Sequence, residues 1–360
     1  MGGVLELAVE RFAGRRTALG DGLGQRFAVL PSRQEPRCLL PVGNNRTTVE
    51  GLRFYTPYAL GARVFKGVLS HIVKTGWNGW PVDLLYVGEP LGLKTLVTKV
   101  TGERSPVFAM LLGAPGRYRK LTIQVMRPHG EILGYVKLGL TRAAGARVRH
   151  EASVLEGISV LRPHVPQVLY SGDWQDSYLL FQSPVEGRRG PAMLGGMHVE
   201  FLEKLAAMHR VNKPGSQVVE ETGRRWNEVA WRCDGRDQRM GAAALAEARR
   251  ELAGVMVPCG YAHGDFAPWN TRVREDRLAV FDWESGERES PLGWDAFHFS
   301  VASSLKKRWR AKFDLAATPG ARGLFLLYLL ASLAKTLDEQ ADFEGIEYRR
   351  GALADELGTC

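Results

Sequence analysis

Cysteine is scarce in this sequence: four residues in 360, at Cys38, Cys233, Cys259 and Cys360, with no CxxC spacing. That scatter argues against a disulfide framework or a cysteine-ligated zinc site and suits a reducing compartment. Long apolar runs are lacking too. The longest, Leu324 to Ala334, falls far short of the roughly 20 residues a membrane helix needs and reads as a buried helix. Glu6 and Glu10 interrupt any basic-then-apolar leader, and Glu6 stands where a myristoylation motif carries Ser or Thr. A cytoplasmic protein is the expectation. Repeats and low-complexity stretches are also missing. With 45% hydrophobic and 24% charged residues the composition is that of an ordinary globular chain.

What the chain does have is uneven charge. The net +9 is concentrated between Gly51 and His150, where 15 Lys and Arg face 4 Asp and Glu. Residues 151–360 carry 26 basic against 30 acidic side chains. A basic first half suits an anionic ligand. No nucleic-acid-binding module is recognisable, and the charge is spread too widely for one, so specific nucleic-acid binding is not expected.

The first hundred residues have no clear class. Within them Leu60, Val64, Val68 and Ile72 recur every fourth position, which predicts an amphipathic helix packed on the following domain. Peripheral membrane contact through this basic half is a lesser use of the same pattern. Strand patterns follow at 106–112, 120–126 and 131–138, joined by tight turns, and predict an antiparallel meander. A helix pattern begins near Val148, and a further strand is expected at Ser177–Phe181. Beyond Gly187 helix patterns dominate: around Phe201–Met208, at 239–256, 296–310, 322–339 and 346–357. Strands followed by helices make an α+β chain with a small sheet lobe and a helical lobe.

The chemistry is concentrated in His263-Gly264-Asp265-Phe266-Ala267-Pro268-Trp269-Asn270 and in Val280-Phe281-Asp282-Trp283-Glu284. Phosphoryl transfer from a nucleotide needs one carboxylate to take the proton of the attacking hydroxyl. It also needs a carboxylate and an amide oxygen to hold Mg²⁺ against the phosphates. Asp265, Asn270 and Asp282 supply those groups in that order, with the H-x-D-x4-N spacing of a kinase catalytic loop. Upstream, Lys137 falls on the third strand of the meander, on one face with Leu133 and Tyr135, and Glu151 follows on the predicted helix. A lysine and glutamate so placed would neutralise and orient the phosphates; Glu156, on the same helix, is the alternative partner.

The double motif resembles the aminoglycoside phosphotransferase/choline kinase family, the small-molecule branch of the protein-kinase-like fold, over roughly residues 105–300. The resemblance implies an α+β, protein-kinase-like fold: a small antiparallel-sheet N-lobe, a mostly helical C-lobe and an N-terminal extension. The expected division is 1–100 for the extension, 101–185 for the nucleotide-binding lobe and 186–360 for the lobe with catalytic loop and acceptor pocket. It implies Asp265 as catalytic base, His263 as the residue that steadies its loop, and Asn270 and Asp282 as Mg²⁺ ligands. Lys137, Glu151, Gly113 and Gly116 of the first loop, and Gln182 and Ser183 of the hinge would hold ATP or GTP. Asp295 stands where the family supports its catalytic loop, and it also reads as an N-cap for the next helix. The implied reaction moves the γ-phosphate to a hydroxyl of a small molecule or glycan.

Two features depart from the pattern. The first loop reads Gly113-Ala114-Pro115-Gly116-Arg117 rather than GxGxxG, which leaves Arg117 or Arg119 to compensate, and Asp282 is followed by Trp283-Glu284, where Glu284 could serve a second metal. The rival readings are an atypical protein kinase, opposed by Gly264 in place of the loop arginine, and a catalytically silent nucleotide-binding or scaffold protein. A metal hydrolase using His209, His263, Asp265 and Asp282 lacks the paired-histidine spacing.

Overall fold

Eight antiparallel strands form the larger sheet of a computed structural model that describes residues 3–14, 24–55, 60–74, 82–305, 320–339 and 343–358. The chain divides into two compact units, Met1–Ser153 with Pro166–Pro184, and Val154–Val165 with Val185–Cys360. Among the described residues no helix is long and apolar enough to cross a membrane. Cys38, Cys233 and Cys259 are free thiols; Cys360 lies outside the described residues.

The first unit runs α1 (Gly3–Ala13), β1 (Gln25–Pro31), β2 (Pro36–Pro41), α2 (Asn45–Phe54), α3 (Leu60–Lys74), β3 (Leu84–Val87), α4 (Leu91–Thr101), β4 (Val107–Leu112), β5 (Lys120–Met126), β6 (Ile132–Gly139), α5 (Arg142–Gly157), β7 (Val168–Trp174) and β8 (Ser177–Gln182). Its sheet order is β3-β1-β2-β4-β5-β6-β8-β7. The expected meander is β4–β5–β6, with Met110 opposite Ile123 and Ile123 opposite Val136. Alternation places Val29, Leu39, Met110, Ile123 and Val136 on one face, against Phe12 of α1 and Val97 of α4. Ala28, Leu30, Cys38 and Leu40 face the other way, onto Leu52 of α2 and Leu69 of α3. Each Val, Leu, Ile, Phe or Met among them, fully buried, contributes about 1.5–3 kcal/mol.

The first hundred residues therefore continue the lobe's sheet: β2 pairs with β4 through Cys38–Leu111 and Leu39–Met110. The lobe's antiparallel sheet accordingly has eight strands. Helix α3 forms as its periodicity predicts, but on a different stripe. Leu69 and Val73 are buried while Val64 and Val68 are 60% and 55% exposed. Phe65, Leu69 and Val73 repeat every fourth residue as well, and it is this neighbouring stripe that makes the packing face. A register shift at the start of β6 changes one more placement. Leu133 packs with Val136 and Leu138 instead of sharing the face of Tyr135 and Lys137, as a bulge dictates. Helix α5 starts six residues before Val148, where the Thr141 hydroxyl caps it by accepting from Ala144 N–H at 3.0 Å.

The second unit contains β9 (Arg188–Arg189), α6 (Gly196–Ala207), β10 (Arg210–Pro214), α7 (Gly215–Ala230), α8 (Gly235–Glu251), β11 (Met256–Ala262), β12 (Thr271–Arg274), β13 (Arg277–Val280), β14 (Glu287–Pro291), α9 (Trp294–Leu305), α10 (Ala321–Asp338) and α11 (Phe343–Leu357). Two three-stranded sheets, β10-β11-β14 and β13-β12-β9, sit among the helices. Trp226 of α7, Ala244 of α8, Leu329 and Leu333 of α10 and Leu353 of α11 share one core. The helix expected at 239–256 ends at Glu251, because residues from Met256 onward pair as β11. Helix α7 was missed by the patterns. The last residues of the 296–310 helix, 306–310, lie outside the described residues.

Candidate active site

In the first unit Lys137 sits mid-strand in β6, opposite Thr122 and Leu180. Its Nζ donates to Glu151 Oε1 at 2.5 Å, with Lys137 5% exposed and Glu151 fully buried. The pairing thus selects Glu151, three turns into α5; Glu156 is exposed. Two charges removed from water offset part of each other's desolvation cost, and removing either would take a close opposite charge from its partner.

The loop after β4 gives less than a phosphate cradle needs. Gly113 N–H is committed to Lys120 O at 2.9 Å, and Gly116, at φ 143, takes a conformation suited to glycine. Arg119 has its Nε buried without a hydrogen-bond partner. At the expected hinge Ser183 N–H donates to Gln167 O at 2.9 Å, and its hydroxyl accepts from Gln167 N–H. Pro184 has no N–H, so neither residue offers a backbone donor to a base. Gln182 is 4% exposed, and its Oε1 is buried without a partner.

In the second unit the loop after β11 is built from backbone contacts. Asp295, 5% exposed, accepts His263 N–H at 2.6 Å and Gly264 N–H at 2.9 Å. It therefore serves the loop; it lies inside the first turn of α9 rather than at its cap. Burial pushes its carboxyl pKa up, against the pull of His263 and the two N–H donors. Gly264 has φ +70, and a Cβ there would meet Ser285 O at 2.1 Å, so only glycine fits. This explains physically why no arginine stands at that position.

His263 is fully buried. Its Nδ1 accepts Asp265 N–H at 3.2 Å and its Nε2 lies 3.0 Å from Phe281 O, which makes it a neutral Nε2–H tautomer. Burial pushes its pKa down, in keeping with that state. Both ring nitrogens are spent on backbone, so His263 braces the loop and is not available for proton transfer. Asn270 donates through Nδ2 to Asp265 O and Oδ2, each at 2.9 Å, which turns its amide oxygen away from that carboxylate. Phe281 N–H donates to Asn270 O at 3.1 Å, bringing Asp282 beside Asn270. Asp282 has φ +70, a left-handed backbone that costs a non-glycine residue free energy and gathers at functional sites. Ligand oxygens of Asp282 and Glu284 lie within 4.8 Å of one another. Three oxygen donors (an amide and two carboxylates) form a set that suits Mg²⁺.

Asp265 itself keeps a third of its side chain accessible. Burial would raise its pKa; the Lys335 ammonium and a hydrogen bond from His298 outweigh that and hold it well below the usual carboxylate range. His298 Nε2 lies 3.0 Å from Asp265 Oδ1. Lys335 donates to Gly264 O at 3.0 Å and to Ser285 Oγ at 2.7 Å. Neither residue was found from sequence. His298 lies three residues after Asp295, one helical turn along the same face, and that spacing was its only signal. Lys335 had none.

A family model described as "Phosphotransferase enzyme family" matches residues 135–317, just over half of the chain. The chain belongs to that family and is a kinase of α+β, protein-kinase-like fold. Its fold is similar to that of a thermostable mutant of aminoglycoside phosphotransferase APH(4)-Ia in ternary complex with ADP and hygromycin B, at 16% identity and TM-score 0.55. That likeness covers 74% of this chain and 98% of that one. The crystal structure of APH(4)-Ia is similar at 16% identity and TM-score 0.54, over 74% and 99%. No curated protein matches the sequence.

Proposed function

We propose that this kinase is Mg²⁺-dependent and moves the γ-phosphate of ATP or GTP to a hydroxyl of a small molecule. The observation that carries the reading is the Asp265 carboxylate: partly accessible, kept ionised, and oriented by Asn270 beside Asp282. In this assignment Asp265 accepts the acceptor's proton, while Lys137, steadied by Glu151, meets the nucleotide phosphates. Asn270 and Asp282 hold the Mg²⁺, with Glu284 as a further donor; the ion supplies neutralisation of the phosphate charge. Residues 101–185 serve the nucleotide and 186–360 the acceptor. The commitment of Gly113 N–H and Ser183 N–H favours side chains, Arg117 or Arg119 and Gln182, over loop and hinge backbone in nucleotide contacts.

Thermal unfolding with ATP and with GTP, with and without Mg²⁺, tests this on wild type and Asp282→Ala. A ligand at a hundred times its Kd stabilises by about 2.7 kcal/mol, which moves Tm by about 2–4 °C per kcal/mol in units of this size. A Mg²⁺-dependent shift lost in Asp282→Ala is the expected result, and it would justify an acceptor screen beginning with hygromycin B. An unchanged Mg²⁺ dependence would remove Asp282 from the metal. No shift with either nucleotide would favour the silent scaffold.

A further inference from the structure

Helix α10 holds the long apolar run Leu324 to Ala334, yet it carries Tyr328, Ser332, Lys335 and Thr336 at spacings of four, seven and eight residues. Those positions share one helix face. Tyr328, Ser332 and Thr336 are at most 9% exposed. Thr336 spends its hydroxyl on Ser332 O. The other three reach outward from the helix: Lys335 to Gly264 O, Tyr328 OH to His298 Nδ1 at 3.3 Å, and Ser332 to Arg349 of α11.

The hydrogen-bond directions along this stripe are fixed by what each group can do. Arg349 Nε has only a proton to give, so it donates to Ser332 Oγ at 2.7 Å. Burial pushes the Tyr328 pKa up, so the phenol stays protonated and donates onward to His298 Nδ1. Burial likewise pushes the His298 pKa down. A neutral imidazole whose Nδ1 accepts must carry its hydrogen on Nε2, which points at Asp265 Oδ1. Tyr328 and His298 thus donate in series toward Asp265.

We propose that His298 and Tyr328 are positioning residues for Asp265: the Tyr328 phenol holds His298 as the Nε2–H tautomer, and His298 fixes the carboxylate. With Oδ1 held by His298 and Oδ2 by Asn270, the carboxylate plane is set from both sides. Each oxygen keeps a second lone pair for the incoming hydroxyl proton. The inference rests on Asp265 being the catalytic base.

Two measurements test it on the full chain. The first is slow hydrolysis of Mg²⁺-ATP and Mg²⁺-GTP, with water as acceptor. His298→Leu is expected to lower turnover about 10- to 100-fold, the effect of a misplaced reacting group, with nucleotide Kd and Tm near wild type. His298→Gln, whose amide nitrogen can stand where Nε2 stood, is expected to restore most of it. Equal turnover in His298→Leu and wild type would overturn the proposal. So would a His298→Gln enzyme as slow as His298→Leu, since the role would then be packing. The second is nitrogen-15 NMR of labelled histidine, with His298 assigned by its loss in His298→Gln. An unprotonated Nδ1 and a protonated Nε2, perturbed in Tyr328→Phe, are expected; a protonated Nδ1 would overturn the proposal even where turnover is too slow to follow. Asp265→Asn separates the two levels. If it keeps wild-type hydrolysis, the base assignment itself has failed, whereas loss in Asp265→Asn with none in His298→Leu sinks only the positioning role.

Discussion

Lys137 and Asp265 are both charged side chains held away from bulk water, and the chain secures them in different ways. Lys137 is held by a direct ion pair to a fully buried Glu151, between a strand and a helix that otherwise present apolar surfaces. Asp265 is held by groups from three places: Asn270 in its own loop, His298 on α9 and, by charge, Lys335 on α10. A buried ion pair is an all-or-none device, because losing one member leaves an uncompensated charge in a low-dielectric interior. A carboxylate with several neutral donors loses them piecemeal. The first arrangement ties the proposed phosphate-binding lysine to the stability of the unit; the second lets the loop lose its proposed base with little structural consequence.

That contrast is sharpest in a pair of substitutions. Asp265→Ala is expected to lower turnover by about 10²–10⁴, the range for loss of a general base, while Tm stays within a few degrees of wild type. Lys335 keeps its bonds to Gly264 O and Ser285 Oγ, so no charge is stranded. Steady-state kinetics alongside calorimetry checks both halves. Wild-type turnover would take the base role from Asp265, and a large loss of Tm would show that the carboxylate is structural.

Lys137→Met should behave in the opposite sense. It keeps the aliphatic stem but takes the ion-pair partner from Glu151, which has zero exposure, a change expected to destabilise the first unit by up to about 3–5 kcal/mol. Lys137→Met combined with Glu151→Leu should recover much of that loss without restoring nucleotide affinity, because two apolar groups replace a pair that costs desolvation. Chemical denaturation of the single and double variants gives the comparison. If the double variant is no more stable than the single one, the pair is not the source of the loss.

The same contrast explains how much of this molecule its sequence revealed. The loop from His263 to Asn270 and the later Asp282 are local patterns, and the structure brings them together through contacts five and eighteen residues apart. Lys137 and Glu151 were legible as a strand position and a helix position fourteen residues apart. Partners that arrive from far along the chain were not. Lys335 lies 71 residues from Gly264, and β2 joins β4 across some seventy residues, so neither leaves a local trace. The displaced stripe on α3 and the reversed Leu133 failed for another reason. On α3 two four-residue stripes stand side by side in the sequence and only packing chooses between them, while a strand that bulges moves every later side chain to a new face.

A smaller change probes the junction where the loop's own backbone is tied down. Asp295 uses both oxygens to accept from His263 and Gly264 N–H groups. In Asp295→Asn one oxygen becomes an NH₂ that confronts a donor, while shape and volume hardly change. The cost expected for one unsatisfied buried donor is about 1–3 kcal/mol. The effect should reach beyond stability, because the two N–H groups flank the turn at Gly264 that aims Asp265, and a shifted turn lowers turnover even in the folded fraction. Nucleotide affinity, which the proposed assignment gives largely to Lys137, should change little. Asp295→Asn would thus fall between the two extremes, losing some stability as Lys137→Met does and some turnover as Asp265→Ala does. A variant with wild-type turnover at reduced Tm would show that the loop holds its aim through His298, Asn270 and Lys335 alone.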